Sequence, residues 1–205
     1  MTPRPYISWS SLELFEKSPE KWERLYLGDG KKVYENSGSR FGALMAKTLE
    51  LDELSGDPAI DLAVSQLTKY EIPDKIVEVQ MNVGRGKDPI ILHGRPDTRT
   101  EDFAAFGEYK SGQAHWTQTK VDRCGQLTFY ATIGYIFRGN KLVEKMWLEQ
   151  VVTEKMDSSD PQSELVPTGE ILKFNSQRSL SDILNMMVRI KKGWQGMERL
   201  TMSLL

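Results

Sequence analysis

The chain has a single cysteine, Cys124, among its 205 residues. That excludes an internal disulfide, a four-cysteine zinc site and a four-cysteine iron–sulfur cluster. No apolar run approaches the roughly 18 residues that a membrane helix requires. The first stretch, Met1 to Trp9, lacks the long apolar segment of a secretory signal. A cytoplasmic protein with no membrane partner is therefore expected. Neither sign of charge dominates: 27 Lys and Arg stand against 29 Asp and Glu, for a net charge of -2. Such a balance argues against a protein that coats nucleic acid by charge alone, but not against an enzyme that grips a few phosphates. The two histidines, His93 and His115, have no ligand-like spacing, so neither is assigned a metal. No internal repeat, low-complexity tract or linker divides the chain.

What is present is ordinary for one globular domain: 39% hydrophobic and 27% charged residues. Basic groups occur in small clusters, such as Lys110, Lys120 and Arg123. Any single pair of them reads as solvated surface.

Helices come first. Ser10 and Glu13 have capping-box spacing for a short helix. Ser18-Pro19 restarts a helix through Tyr26, because proline suits the first helical turn. Further helices are expected over 39–54 and, after Asp57-Pro58, to about Tyr70. Residues 75–83 alternate as a strand, with Val77, Val79 and Met81 on one side and Ile76, Glu78 and Gln80 on the other. Residues 90–98 and 103–110 read as a hairpin. A long helix over 116–137, strands over 142–153 and 168–174, and a loop over 158–166 around Pro161 follow. A last helix, from a Ser179 cap to about Leu204, carries the apolar stripe Ile183, Met186, Met187, Ile190 and Trp194. The order predicts an α/β fold: a mixed sheet flanked by helices.

The chemistry concentrates in Gly94-Arg95-Pro96-Asp97 and Glu108-Tyr109-Lys110. Glu108 and Lys110 lie two apart on a strand and so share a face. Asp97 falls on the expected partner strand. Hard carboxylate oxygens suit Mg²⁺ or Mn²⁺, which bind through one or two carboxylates plus water and substrate phosphate. Such a cation activates water and stabilises charge on a phosphodiester. A lysine beside it positions that water or neutralises developing charge. Taken alone, Glu108-x-Lys110 is no more than an exposed ion-pair face; Asp97 makes it a candidate site. Gln126 and Tyr130, four apart, share one helix face. Glu78 is a possible further acid but reads as structural. Trp116 reads as core, with stacking on a base as the alternative.

Pro96-Asp97, a ten-residue gap and Glu108-Tyr109-Lys110 resemble the PD-(D/E)XK nuclease signature. The run from Ile7-Ser8-Trp9-Ser10-Ser11-Leu12 through Phe15, Pro19 and Tyr26 resembles the N-terminal helical motif of RecB-like exonucleases. Arg40-Phe41-Gly42 resembles their first core motif, and Gln126-Leu127 with Tyr130 their Q-x-x-x-Y helix. The resemblance spans about residues 7–153. It implies a restriction-endonuclease-like core with a helical N-terminal addition. The implied activity is a Mg²⁺- or Mn²⁺-dependent deoxyribonuclease, an exonuclease of recombination or repair. DNA is the implied partner, with a recombination or single-strand-binding protein as a second. By the same resemblance Asp97 and Glu108 hold the metal, the Tyr109 carbonyl adds a ligand, and Lys110 handles the attacking water. Gln126 orients the phosphate, Tyr130 belongs either to the site or to the core, and Lys120 and Arg123 contact the backbone.

Two departures stand out. Many relatives carry a helical histidine where this chain has Leu44-Met45, so Glu50, the nearest helical acid, takes that metal position or is simply solvated. Ser18 stands where some relatives have a cluster-binding cysteine, so no iron–sulfur cluster is expected. A catalytically inactive nucleic-acid-binding module of the same fold and a sequence-specific endonuclease are the alternatives.

Overall fold

The computed structural model describes residues 6–28, 37–51, 53–70, 76–84, 88–160 and 163–203, with side chains from 41 onward in the second segment. The expected strand start at Lys75, the loop residue Pro161, the helix end at Leu204 and the Arg40 side chain lie outside the described residues.

The chain is mixed α/β. Two helices open it after a two-residue strand β1 (Tyr6–Ile7): α1 (Trp9–Lys17) and α2 (Pro19–Tyr26). Ser8, not Ser10, caps α1, its hydroxyl accepting from Ser11 N at 3.4 Å. The cap lies two residues earlier than the sequence suggests because Trp9 already turns into the helix. At α2 the Ser18-Pro19 signal holds residue for residue, and the Ser18 hydroxyl accepts from Lys21 N. Helices α3 (Ser37–Leu51) and α4 (Pro58–Ser65) follow, the latter shorter than expected and capped by Asp57.

Two mixed sheets form the centre. In the first, β3 (Ile90–Gly94) pairs parallel with β1 and antiparallel with β2 (Val77–Met81). The alternation foreseen for β2 holds: Val77, Val79 and Met81 are buried, Glu78 and Gln80 exposed. Glu78 thus faces away from the core, and it lies opposite His93 in the register. The second sheet runs β4 (Thr98–Arg99), β5 (Ala105–Gly112), β6 (Lys145–Lys155), β7 (Leu165–Ser176), with β5 and β6 parallel.

Here the expected hairpin is corrected. Residues 90–98 do not form one strand paired to β5; β3 belongs to the other sheet, and only Thr98–Arg99 pair with Gly107 and Phe106. The break has a local cause. A Cβ on Gly94 would meet Ile133 Cδ1 at 2.5 Å, so β3 ends pressed against a helix. Pro96, buried next to it, has no N–H to offer a ladder.

The expected long helix over 116–137 is also corrected. It is two helices, α5 (Gln118–Asp122) and α6 (Gly125–Phe137), broken at Arg123–Cys124. Arg178, brought in from the turn after β7, fills the break. Its guanidinium donates to the carbonyls of Val121 and Cys124 at 3.0 and 3.2 Å, to Thr128 Oγ1 at 2.7 Å and to Ser176 Oγ at 2.6 Å. Arg178→Ala would remove the charged donor these four oxygens share, although Val121 O still accepts from Cys124 N at 3.1 Å and Cys124 O from Thr128 N at 3.2 Å. The expected loss is on the order of 3 kcal/mol, read as a fall in Tm of roughly 6–12 °C. A fall under about 2 °C would show that Gly125 alone sets the break.

The last helix, α7 (Leu180–Met202), starts as expected at Ser179, with a capping box to Asp182. Ile183, Met186 and Ile190 are buried, and Met187 and Trp194 pack at the core's edge. The sheet with β5 and β6 separates two cores. Phe106, Met146 and Leu148 face α1, α2, α6, α7 and the first sheet, whereas Tyr109 and Val151 face α3 and α4. Among the described residues, no helix is long and apolar enough to cross a membrane.

Candidate active site

β5 alternates between the two cores, so Glu108 and Lys110 emerge on the same face as Phe106, toward α6. Tyr109 points the other way and its hydroxyl donates to Thr68 O at 2.5 Å. Beyond Gly107 the short β4 no longer pairs with β5. Asp97 takes over that edge: its Oδ2 accepts from the Tyr109 backbone N at 2.7 Å. The acid therefore reaches the site from the bend ahead of β4 rather than from a paired strand, which corrects its expected position while keeping it beside Glu108.

A chain of contacts links the expected residues. Lys110 Nζ donates to Glu108 Oε2 at 3.1 Å and to Gln126 Oε1 at 2.9 Å. Gln126 Nε2 reaches the Tyr130 hydroxyl at 3.5 Å, and that hydroxyl donates to the Arg95 carbonyl at 3.2 Å. Four-residue spacing on α6 puts Gln126 and Tyr130 on this one face. Tyr130 is also core, packing edge-on against Phe106, and its hydroxyl lies within this chain of contacts.

The electrostatics are unusual. Glu108 is 2% exposed, and its Oε1 is buried without a hydrogen-bond partner. Burial first, and the nearby Asp97 charge second, push its pKa up to about 8, against the pull of Lys110. Burial works against the Lys110 ammonium, but the charges of Glu108 and Asp97 outweigh it and hold its pKa above the usual lysine value. Lys110 is thus a cation at neutral pH, with no lone pair to give. Burial raises the hydroxyl pKa of both Tyr109 and Tyr130, which stay protonated donors.

Glu50 is not brought to the carboxylates. It is exposed, and its Oε1 accepts from Arg95 Nη2 at 2.5 Å. Among the described residues no group of three or more His, Cys, Asp or Glu is placed to hold a metal ion. Asp97 and Glu108 fit a hard divalent cation as a pair, since Glu108 is buried with little to compensate its carboxylate and the nearby Asp97 charge works against its ionisation. For Glu50 the expected outcome is now the bland one. Glu50→Gln should change any phosphodiesterase rate by less than about twofold, well under 1 kcal/mol. A tenfold loss in single-turnover cleavage would return it to the metal shell.

A groove of about 510 Å³ opens beside the site. Lys110 and Gln126 line it together with Lys120, Arg123, Trp9 and Trp116. The two cations expected to meet a DNA backbone thus share a groove with the candidate catalytic pair. Lys120 Nζ donates to His115 O at 3.2 Å. The first turn of α6 also borders the groove, with Cys124 giving no side-chain cap.

Sequence reasoning missed Gln150 and Arg95. Gln150, 1% exposed, accepts from Trp116 N at 2.8 Å and donates to the carbonyls of Gly112 and Ala114 at 3.0 and 2.9 Å. It fixes the segment that follows β5. The signal was the pair Glu149-Gln150 inside an otherwise apolar strand, where two adjacent polar residues must serve opposite faces. Glu149 serves the far face, accepting from Thr68 N and Oγ1 at 2.8 and 2.7 Å. It is structural.

Comparison with protein families, curated proteins and solved structures returned no match for this chain.

Proposed function

We propose that the chain is a Mg²⁺- or Mn²⁺-dependent deoxyribonuclease of the PD-(D/E)XK superfamily, with a restriction-endonuclease-like core and a RecB-like helical N-terminus. One observation carries the reading: a buried glutamate with an unpartnered Oε1 lies beside Asp97 and a charged Lys110, and Lys110 lines a groove shared with Lys120 and Arg123. A glutamate so placed, in strand register with a lysine, has little structural purpose without a cation or a proton to neutralise it.

Asp97 and Glu108 would hold the metal, with the Tyr109 carbonyl as a further oxygen on the residue whose N–H already reaches Asp97. When bound, the cation supplies Lewis-acid activation of water and charge neutralisation on the phosphate. The chain's own residues do the rest. Lys110, fixed between Glu108 and Gln126, offers an ammonium to the charge that develops on the phosphate. Gln126, aligned by that lysine and by Tyr130, orients the scissile phosphate through its amide. Lys120 and Arg123 hold the neighbouring backbone. Exonucleolytic action in recombination or repair, with a recombination or single-strand-binding protein as partner, rests on the family resemblance.

The test is direct. Linear and covalently closed circular DNA are incubated with the protein and Mg²⁺, Mn²⁺ or EDTA. Metal-dependent loss of linear DNA with the circle untouched is expected. Loss of the circle would make the enzyme an endonuclease, and no loss of either would leave a binding module.

A further inference from the structure

We infer that the groove beside the carboxylates is a subsite for one unpaired nucleotide of a DNA strand, whose base stacks on Trp116 and whose phosphates meet Lys120 and Arg123. The inference rests on the nuclease reading, because the groove is tied to Glu108 through Lys110, which lines it and is bonded to both Glu108 and Gln126.

Size and charge select the occupant. A groove of about 510 Å³ is in the range that encloses a small molecule or a single nucleotide. A base inside a duplex is stacked on both faces and reaches a protein ring only by leaving the helix. The lining carries Lys110, Lys120 and Arg123 against one acid, Glu13, whose carboxylate is already paired with Lys17 at 2.9 Å. This is local positive charge on a chain whose net charge is -2. Aromatic ring plus cations along one groove is the combination that binds single strands without reading sequence.

Trp116 suits stacking better than Trp9. The Trp9 ring is engaged: a Cβ on Gly125 would meet its Cη2 at 2.2 Å, and the Arg189 guanidinium sits 5.0 Å from the ring centroid. Trp116 is half-buried at the edge of the core, and its backbone N is bonded to the buried Gln150. Thr117 next to it caps α5, accepting from Lys120 N at 3.3 Å. Gln150 and Thr117 therefore fix the backbone that carries the ring and the first cation of the groove, which lowers the ordering cost of binding.

Binding is measured in EDTA, where cleavage plays no part. The probes are a fluorescein-labelled oligothymidylate of about 15 nucleotides and a blunt duplex of the same strand with its complement. The single strand should bind at least about tenfold more tightly. Trp116→Ala should weaken it by about 10–100-fold, and Trp116→Phe should recover most of that loss. The exposed pair Lys120→Gln and Arg123→Gln, which should not disturb folding, should flatten the slope of log K against log salt by about 1.4. Equal binding of duplex and single strand, an alanine effect within about twofold, or an unchanged salt slope would each overturn the subsite. Thermal unfolding of each variant guards against misfolding, and the double glutamine variant decides the question if Trp116→Ala does not fold. The two readings fail separately. Trp116-dependent binding without metal-dependent cleavage would sink the nuclease alone. Cleavage that needs Asp97 but binding indifferent to Trp116 would sink the subsite alone.

Discussion

Glu108→Gln will abolish cleavage and at the same time stabilise the metal-free protein at pH 8. The sign follows from linkage. The Glu108 carboxyl, ordinarily near 4.5, is pushed up to about 8 in the fold by burial and by Asp97. The folded state then binds its proton more tightly than the unfolded state. Stability from this group is complete below about pH 4.5, declines as pH rises through the window to about 8, and is lost above it. Because Glu108 is fully buried, the loss amounts to several kcal/mol. Glutamine keeps an oxygen for Lys110 and carries no charge at any pH, so the decline should vanish. Differential scanning calorimetry in EDTA should show the parent Tm falling by at least about 5 °C between pH 5.5 and pH 8.5, with a nearly flat profile for the variant. Mg²⁺ should raise the parent Tm most at the alkaline end, where the cation no longer competes with the proton, and should leave the variant unmoved. Asp97→Asn should likewise abolish cleavage and weaken metal binding, while its side chain keeps the contact with Tyr109 N. A parent profile that rises toward pH 8.5, or an active glutamine variant, would remove Glu108 from the centre of the site.

Lys110→Met should lower the single-turnover rate on the order of 10²–10³-fold, by analogy with the loss of one oxyanion-hole donor. Methionine keeps the unbranched stem and removes only the ammonium. Metal affinity should stay the same or tighten, because a competing positive charge leaves the pair Asp97 and Glu108. The competing view, an exposed ion pair worth about 0–1 kcal/mol, is hard to sustain. Glu108 is 2% exposed, and Lys110 also holds Gln126 at 2.9 Å. Cleavage at the parental rate by a folded Lys110→Met protein would end the case for a catalytic lysine.

Much of this was legible residue by residue wherever the cause was local. Ser18-Pro19 set the start of α2, Ser179 with Asp182 set the start of α7, and the alternation of Val77, Val79 and Met81 set the buried face of β2. The shared face of Glu108 and Lys110 followed from the period of a strand, and that of Gln126 and Tyr130 from the pitch of a helix. Each of these needs only neighbours within a turn or two of chain.

The tertiary structure alone decided which strands pair and where the long helix breaks. The run Ile90–Gly94 chose β1 and β2 rather than β5 because its end packs on Ile133, a contact across tens of residues that no local pattern records. Asp97 arrived at Glu108 through a bond to the Tyr109 backbone, not through strand register. The helix over 116–137 broke at Arg123–Cys124, where Arg178, more than fifty residues later, packs its guanidinium against the break and adds a charged donor to the Val121 and Cys124 carbonyls. Glu50 met Arg95 instead of the carboxylates, a contact between residues 45 apart in sequence. Periodicity and caps state which face a residue takes; which partner meets that face is settled only by burial of the whole chain, where many weak contacts are weighed together.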